Sequence, residues 1–231
     1  MGKAIGLKET AAPSLRSLTR ESLEERLGCE LGVSIRVAVT IKPAEMDQLT
    51  SRERSHLETL GNDRRLLSWL TGRAALKALL TSLGASDETM EIEFPHRRYS
   101  LTHSGSYAVA VGTSSDELIG IGVDLEIYRP VRHETARVFL DEREQAWLES
   151  CPETSITNEL LRMWTIKESL FKSDPENGKR WFSDYQIETP ASQSGRAFLK
   201  DANDADFRYV TVEFDEGFLS AAVHKRRSKH A

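Results

Sequence analysis

Cysteine is scarce in this chain. Cys29 and Cys151 are its two cysteines, too far apart for any metal-ligand spacing, which excludes a cysteine-built metal site and points to a reducing, cytoplasmic compartment. Long apolar runs are missing, so no membrane span is expected. The N-terminus has no apolar core of the secretory kind, so secretion is not expected either. Positive charge is in deficit, with 31 Lys and Arg against 36 Asp and Glu for a formal charge of −5. No broad basic surface can form, and nucleic-acid partners are disfavoured. The basic run Lys225-Arg226-Arg227-Ser228-Lys229 reads as a solvated tail over 225–231.

What is present is the material of a folded globule. Hydrophobic residues make up 39% and charged residues 29% of the 231 positions, enough for one large domain or two small ones, each with a core. Residues 1 to about 18 have no period and are expected to fray, and Thr19 to Leu27 reads as a short helix capped by Thr19, within an extension over 1–33. Ser34 to Ile41 alternates as a half-buried strand. Two helices follow, Ala44 to Leu60 stopped by Gly61 and Asp63 to Leu83 stopped by Gly84. Met90 to Phe94, Ser100 to His103 and Tyr107 to Gly112 read as strands. Beyond Pro130 come short helices at Glu134 to Leu140 and Asp141 to Ser150, a long one at Thr157 to Ser173, then strands at Trp181 to Glu188, Arg196 to Lys200, Arg208 to Phe214 and Phe218 to Val223.

One strand does not fit this pattern. In Ile119 to Glu126 the residues Ile119, Ile121, Val123 and Leu125 share one face, and Gly120, Gly122, Asp124 and Glu126 share the other. Glycine, aspartate and glutamate are poor strand formers. Taken alone, the segment suits an edge strand blunted by charge. Its other reading is a hard-cation site, with two carboxylates side by side and bare backbone admitting a ligand.

The chain also resembles itself. Leu66 to Leu76 can be laid on Leu160 to Leu170 without a gap, and each helix is preceded by a charged start, Ser51-Arg52-Glu53-Arg54 and Glu142-Arg143-Glu144, followed by Leu57 and Leu148. This implies a pseudo-twofold pair of similar α+β lobes, 34–118 and 119–224, with the active site at their interface. The lobes are not equivalent, because Ala74 falls at the position of Glu168.

Glu168 lies four residues from both Trp164 and Lys172, on one helical face. As a pair, Glu168 and Lys172 amount to a routine helix ion pair of roughly 0.2–0.5 kcal/mol. With Asp124 and Glu126 added, three carboxylates and an amine suit a metal-bound diphosphate better than a core. His103, flanked by Thr102, Ser104 and Gly105, has a setting apt for phosphate oxygens, although a lone histidine at a strand end is more often structural. Arg54, Arg65, Arg73 and Lys77 are the basic groups near the first long helix, and Arg73, among Leu70, Ala74 and Ala75, is the best ligand candidate.

Gly122-Val123-Asp124-Leu125-Glu126, the 44-position interval to Glu168, and Trp164-Thr165-Ile166-Lys167-Glu168-Ser169-Leu170-Phe171-Lys172 together resemble the paired signature of the 4′-phosphopantetheinyl transferases, in their larger monomeric two-lobed form. Ser100-Leu101-Thr102-His103-Ser104 resembles that family's histidine strand, and Gly72-Arg73 its first-lobe helix. The resemblance implies transfer of the phosphopantetheine arm of coenzyme A to a serine of an apo acyl or peptidyl carrier protein, with release of adenosine 3′,5′-bisphosphate. By position, it implies Asp124, Glu126 and Glu168 as Mg²⁺ ligands and Glu168 as the base. Lys172 and Lys167 would steady phosphate charge, and Thr102, His103, Arg54 and Arg73 would contact coenzyme A. The family's glycine-lysine-proline turn is replaced by Pro95-His96-Arg97-Arg98, leaving Arg97 or Arg98 to substitute for its lysine. Two other readings use the same residues: a Mg²⁺ phosphohydrolase with water as nucleophile, and a carrier-binding module without chemistry, against which the intact Asp124, Glu126, Glu168 and Lys172 argue.

Overall fold

The computed structural model describes residues 14–15, 18–200 and 202–226. Residues 1–13, where fraying is expected, and 227–231 of the basic tail lie outside the described residues. In chain order the elements are α1 (Arg20–Leu31), β1 (Arg36–Thr40), α2 (Ser51–Leu57), α3 (Asp63–Ser82), β2 (Tyr99–Ser104), β3 (Tyr107–Gly112) and β4 (Leu118–Ile127). They continue with α4 (Ala136–Phe139), α5 (Glu142–Glu149), α6 (Glu153–Ser173), β5 (Tyr185–Ile187), β6 (Ser194–Leu199), β7 (Ala202–Phe214) and β8 (Gly217–Lys225).

The strands form two antiparallel sheets, ordered β1-β3-β2 and β4-β8-β7-β6-β5. The fold is α+β, and its repeat is topological as well as sequential. In each half a first strand is followed by a short and a long helix and then by a hairpin, and the hairpin's second strand returns beside the first. β1, α2, α3, β2 and β3 thus answer to β4, α5, α6, β7 and β8. Strand alternation divides the core. Tyr107, Val109 and Val111 of β3 join Ile121, Val123 and Leu125 of β4 in one cluster, covered by Leu23, Leu27 and Leu31 of α1. Ala108 and Ala110 face the other way, onto Ala75, Leu76 and Leu79 of α3, while α6 packs Leu160, Met163, Ile166 and Leu170 over Tyr185, Phe207 and Tyr209. Helix α1 therefore lies within the core that the two sheets share.

Several elements differ from the sequence reading. The helix expected over Ala44 to Leu60 is interrupted: a 3-10 turn at Met46–Gln48 gives way to α2, restarted by a capping box in which the Thr50 hydroxyl accepts from the Glu53 amide. Met90 to Phe94 forms no strand. A 3-10 turn covers Thr89–Glu91, closed by Ile92 N donating to Thr89 O, and α3 side chains hold the chain leading into it, Arg73 Nη1 donating to Thr89 O and Lys77 Nζ to Asp87 O. Glu134 to Leu140 is a 3-10 turn followed by the short α4, and Trp181 to Glu188 keeps only β5 as strand.

The two sheets meet where β2 runs beside β4. Ser100 Oγ accepts from Val123 N at 3.0 Å and Ser104 Oγ from Ile127 N at 3.3 Å. Residues two apart on a strand point the same way, so Ser100, Thr102 and Ser104 present three hydroxyls to one neighbour. Side-chain oxygens replace a backbone ladder, and the seam between the sheets is polar.

Candidate active site

The glycines of β4 are answered by a helix rather than a ligand. A Cβ at Gly120 would overlap the carbonyl oxygen of Ser173, and one at Gly122 that of Ser169. Ligand approach, the expected reason for these glycines, is therefore corrected: they let the α6 backbone close onto β4. That closure carries the adjoining residues of α6 to the carboxylates of β4. Lys172 Nζ lies 2.7 Å from Asp124 Oδ1 and 3.4 Å from Glu168 Oε2, bridging the two acids. Thr102 Oγ1, from the seam, donates to the same Asp124 oxygen at 3.0 Å.

Asp124 is 4% exposed, and its second oxygen, Oδ2, is buried without a hydrogen-bond partner. Burial, assisted by the negative charges of Glu168 and Glu126 and opposed by Lys172, pushes its carboxyl up to about 7. Burial acts to lower the Lys172 ammonium, but Asp124 and Glu168 outweigh it and hold it above the ordinary lysine value. One ammonium thus serves two acids, and an open lone pair remains.

Glu126 is occupied elsewhere. Trp164 Nε1 donates to its Oε1 at 3.1 Å, and Arg129 grips both oxygens, Nη2 to Oε1 at 3.2 Å and Nε to Oε2 at 3.3 Å. Among the described residues no three His, Cys, Asp or Glu side chains are gathered closely enough to hold a metal ion. The expected meeting of three acids is therefore seen as Asp124 and Glu168 joined through Lys172, with Glu126 turned to Arg129. The donor set still fits a hard cation: the carboxylates are oxygen ligands, and the orphaned Asp124 Oδ2 has a free lone pair.

Lys167 is not brought to this site. Its side chain is fully buried on another face of α6, where it pairs with Glu144 at 2.6 Å and donates to the carbonyl of Tyr185. One step from Glu168 is about 100° around the helix, which sends the two side chains to different neighbours. Arg73 occupies the equivalent place in the first half, donating to Thr89 O and feeling the charge of Glu53 as Lys167 does that of Glu144. Its guanidinium also lies 4.7 Å over the Trp69 ring, and its Nε is buried without a partner.

Three adjoining cavities share His103, which is exposed. The first, about 590 Å³, is lined by Arg64, Arg65, Ser68, Trp69 and Arg73. A second, about 420 Å³, runs from Arg73 and His103 past Ser100 to Lys172 and Asn177. A third, about 560 Å³, turns the other way to Ser104, Gly105, Tyr128 and Arg129. Thr102 is buried behind this groove. Arg54 is outside its lining, its Nε donating to Leu49 O at 3.0 Å. Arg97 and Arg98 are committed to Asp116. Arg64 was missed in the sequence, and Arg65 was not separated from its neighbours there. Among the described residues neither makes an ion pair, and the signal that could have found them is their place at the start of α3, after the cap Asn62.

Residues 120–223 match the family model described as the 4′-phosphopantetheinyl transferase superfamily. The match takes in Asp124, Glu126, Glu168 and Lys172 and supports a transferase of the 4′-phosphopantetheinyl transferase type. No curated protein matches the chain. No helix among the described residues is long and apolar enough to cross a membrane.

Proposed function

We propose that this chain moves the 4′-phosphopantetheine arm of coenzyme A onto a serine of an apo acyl or peptidyl carrier protein, dependent on Mg²⁺, and releases adenosine 3′,5′-bisphosphate. The observation that carries this reading is the acidic knot of Asp124, Lys172 and Glu168 at one end of a groove whose other end holds Arg64, Arg65 and Arg73. The nucleotide part of coenzyme A, with its 3′-phosphate at one side and its diphosphate at the other, suits that charge order once a cation screens the acids. Asp124, Glu126 and Glu168 would hold the Mg²⁺. When bound, the ion would screen the diphosphate so that an oxygen nucleophile can approach. Lys172, which lines the groove beside Asp124 and Glu168, would neutralise charge on the transferred phosphate or the leaving group. Glu168, partly exposed one turn before Lys172 on α6, would take the proton from the serine hydroxyl. Phosphoryl transfer to an alcohol asks little covalent work of a protein, so positioning and charge carry the reaction.

On this reading His103 and the arginines at the start of α3 face the nucleotide end of coenzyme A, and Thr102 acts from behind by orienting Asp124. The protein works as a monomer whose two lobes, 34–118 and 119–224, take the place of two subunits. Cys29 and Cys151, both free thiols, suit a cytoplasmic home. Incubation of an apo carrier protein with coenzyme A, Mg²⁺ and the enzyme tests the proposal by intact-protein mass. The carrier should gain the phosphopantetheine mass with matching release of adenosine 3′,5′-bisphosphate. Asp124→Ala should slow this by about two orders of magnitude or more. Breakdown of coenzyme A without a carrier, and no gain of mass with one, would assign the site to a phosphohydrolase instead.

A further inference from the structure

Glu126 differs from its partner acids in having both oxygens held by donors other than Lys172. A carboxylate offers about four lone-pair sites, and Glu126 receives one donor from Trp164 and a two-point grip from Arg129, three residues further along the chain. Asp124 meanwhile keeps an oxygen open. Gathering three carboxylates without a cation between them is costly, because like charges close together oppose one another's ionisation. Parking the third on an arginine relieves that repulsion.

We infer that Arg129 is a positioning residue that latches Glu126 away from Asp124 and Glu168 in the metal-free protein, and that a divalent ion must draw Glu126 off this grip. The inference rests on the proposed assignment of these three acids as the metal ligands. The latch is built to open. The Arg129 side chain is 53% exposed, so its ion pair is worth little in water. It also lines the third cavity beside Tyr128 and Arg64, which leaves the released guanidinium a solvated place to go. Trp164, held to Glu126 by its indole N–H and packed 5.0 Å from Phe139, reports on the same event.

The test is Mn²⁺ binding to the full chain without coenzyme A, read as free Mn²⁺ by electron paramagnetic resonance. Arg129→Gln should bind Mn²⁺ about 2- to 5-fold more tightly than the wild type. Arg132→Gln, which removes the same charge three residues further along the chain and breaks no hydrogen bond to Glu126, should leave the affinity unchanged. Equal affinity of wild type and Arg129→Gln, or equal tightening by both variants, overturns the latch while leaving the metal centre standing. Failure of every form to bind Mn²⁺ overturns the metal centre and the latch with it. In a second readout, Mg²⁺ should shift the indole emission of the wild type but not of Trp164→Phe, and a wild type without that shift overturns the movement of Glu126.

Discussion

Gly122 of β4 lies directly against the carbonyl oxygen of Ser169 on α6, with no room between them for a side chain. The contact sets the distance between the strand that bears Asp124 and the helix that bears Glu168 and Lys172. Gly122→Ala should therefore act on stability before it acts on any ligand. Overpacking against helix backbone, which cannot swing aside as a side chain can, should cost about 3 kcal/mol. Gly178→Ala, where nothing stands within 4 Å of an added Cβ, is the matched control and should be near neutral. Urea midpoints of the two variants decide the point. A Gly122→Ala protein as stable as the wild type would return these glycines to the role of ligand clearance.

Lys167 and Glu144 give the second prediction. Both side chains are fully buried, 2.6 Å apart, and Glu144 also accepts from the amides of Asp141 and Ile187. Burial pushes the Lys167 ammonium below its ordinary value, against the pull of Glu144. Removing one partner strands the other in the core, so Lys167→Met should cost about 3–5 kcal/mol. Lys167→Met with Glu144→Gln should recover more than half of that loss, because the amide oxygen can still receive the Ile187 amide. The double variant, once folded, should turn over substrate at close to the wild-type rate. A well-folded double variant without activity would restore the catalytic role that the resemblance implied for Lys167.

The equivalent acid in the first half, Glu53, predicts an acid-side loss of stability. Its burial raises the carboxyl, but donors from the Thr89 hydroxyl, the Thr50 amide and Lys77 outweigh this and hold it below the ordinary 4.5. A folded-state value below the unfolded one means that the unfolded chain binds more protons there. The contribution is complete above about pH 4.5 and is lost as pH falls through the depressed folded value. Unfolding midpoints measured from pH 6 down to pH 3 should fall less steeply for Glu53→Gln than for the wild type. Parallel curves would show that Glu53 does not drive the acid transition.

The alternation of Ile119 to Glu126, the long helix through Glu168 and the repeat of Leu66 to Leu76 in Leu160 to Leu170 were all legible in the sequence, because each is a periodic pattern whose physics is local. The meaning of Gly120 and Gly122 was not. A missing side chain shows that something comes close, and only the packing shows that it is α6. Lys167 was misplaced by adjacency to Glu168, although its spacing from Met163 and Leu170 puts it on the buried stripe. The hydroxyls of Ser100, Thr102 and Ser104 alternate visibly, yet their use as a seam to β4 depends on a tertiary neighbour. Arg64 went unread and Arg65 was one of four basic groups near the first long helix, and the cavity beside them is what sets them apart from the rest.

Those arginines change which residue is expected to meet coenzyme A, and its 3′-phosphate is the group an arginine suits. Arg73 was the leading candidate, but its guanidinium is stacked on Trp69 and tied to Thr89 O in the place where the second half keeps Lys167. Arg64 and Arg65 are exposed and line the same cavity. A charge-assisted hydrogen bond to phosphate contributes about 1.5–3 kcal/mol, or roughly 10- to 100-fold in affinity. Arg64→Ala and Arg65→Ala should each leave the unfolding midpoint unchanged, and at least one should raise the KM for coenzyme A by about that factor while sparing 3′-dephospho-coenzyme A. Arg73→Ala should lower the midpoint and weaken both substrates alike, because it removes a wall of the groove. Selective loss of the 3′-phosphate preference in Arg73→Ala, with neither neighbour mattering, would put the phosphate back on Arg73 and require its guanidinium to leave Thr89 when coenzyme A binds.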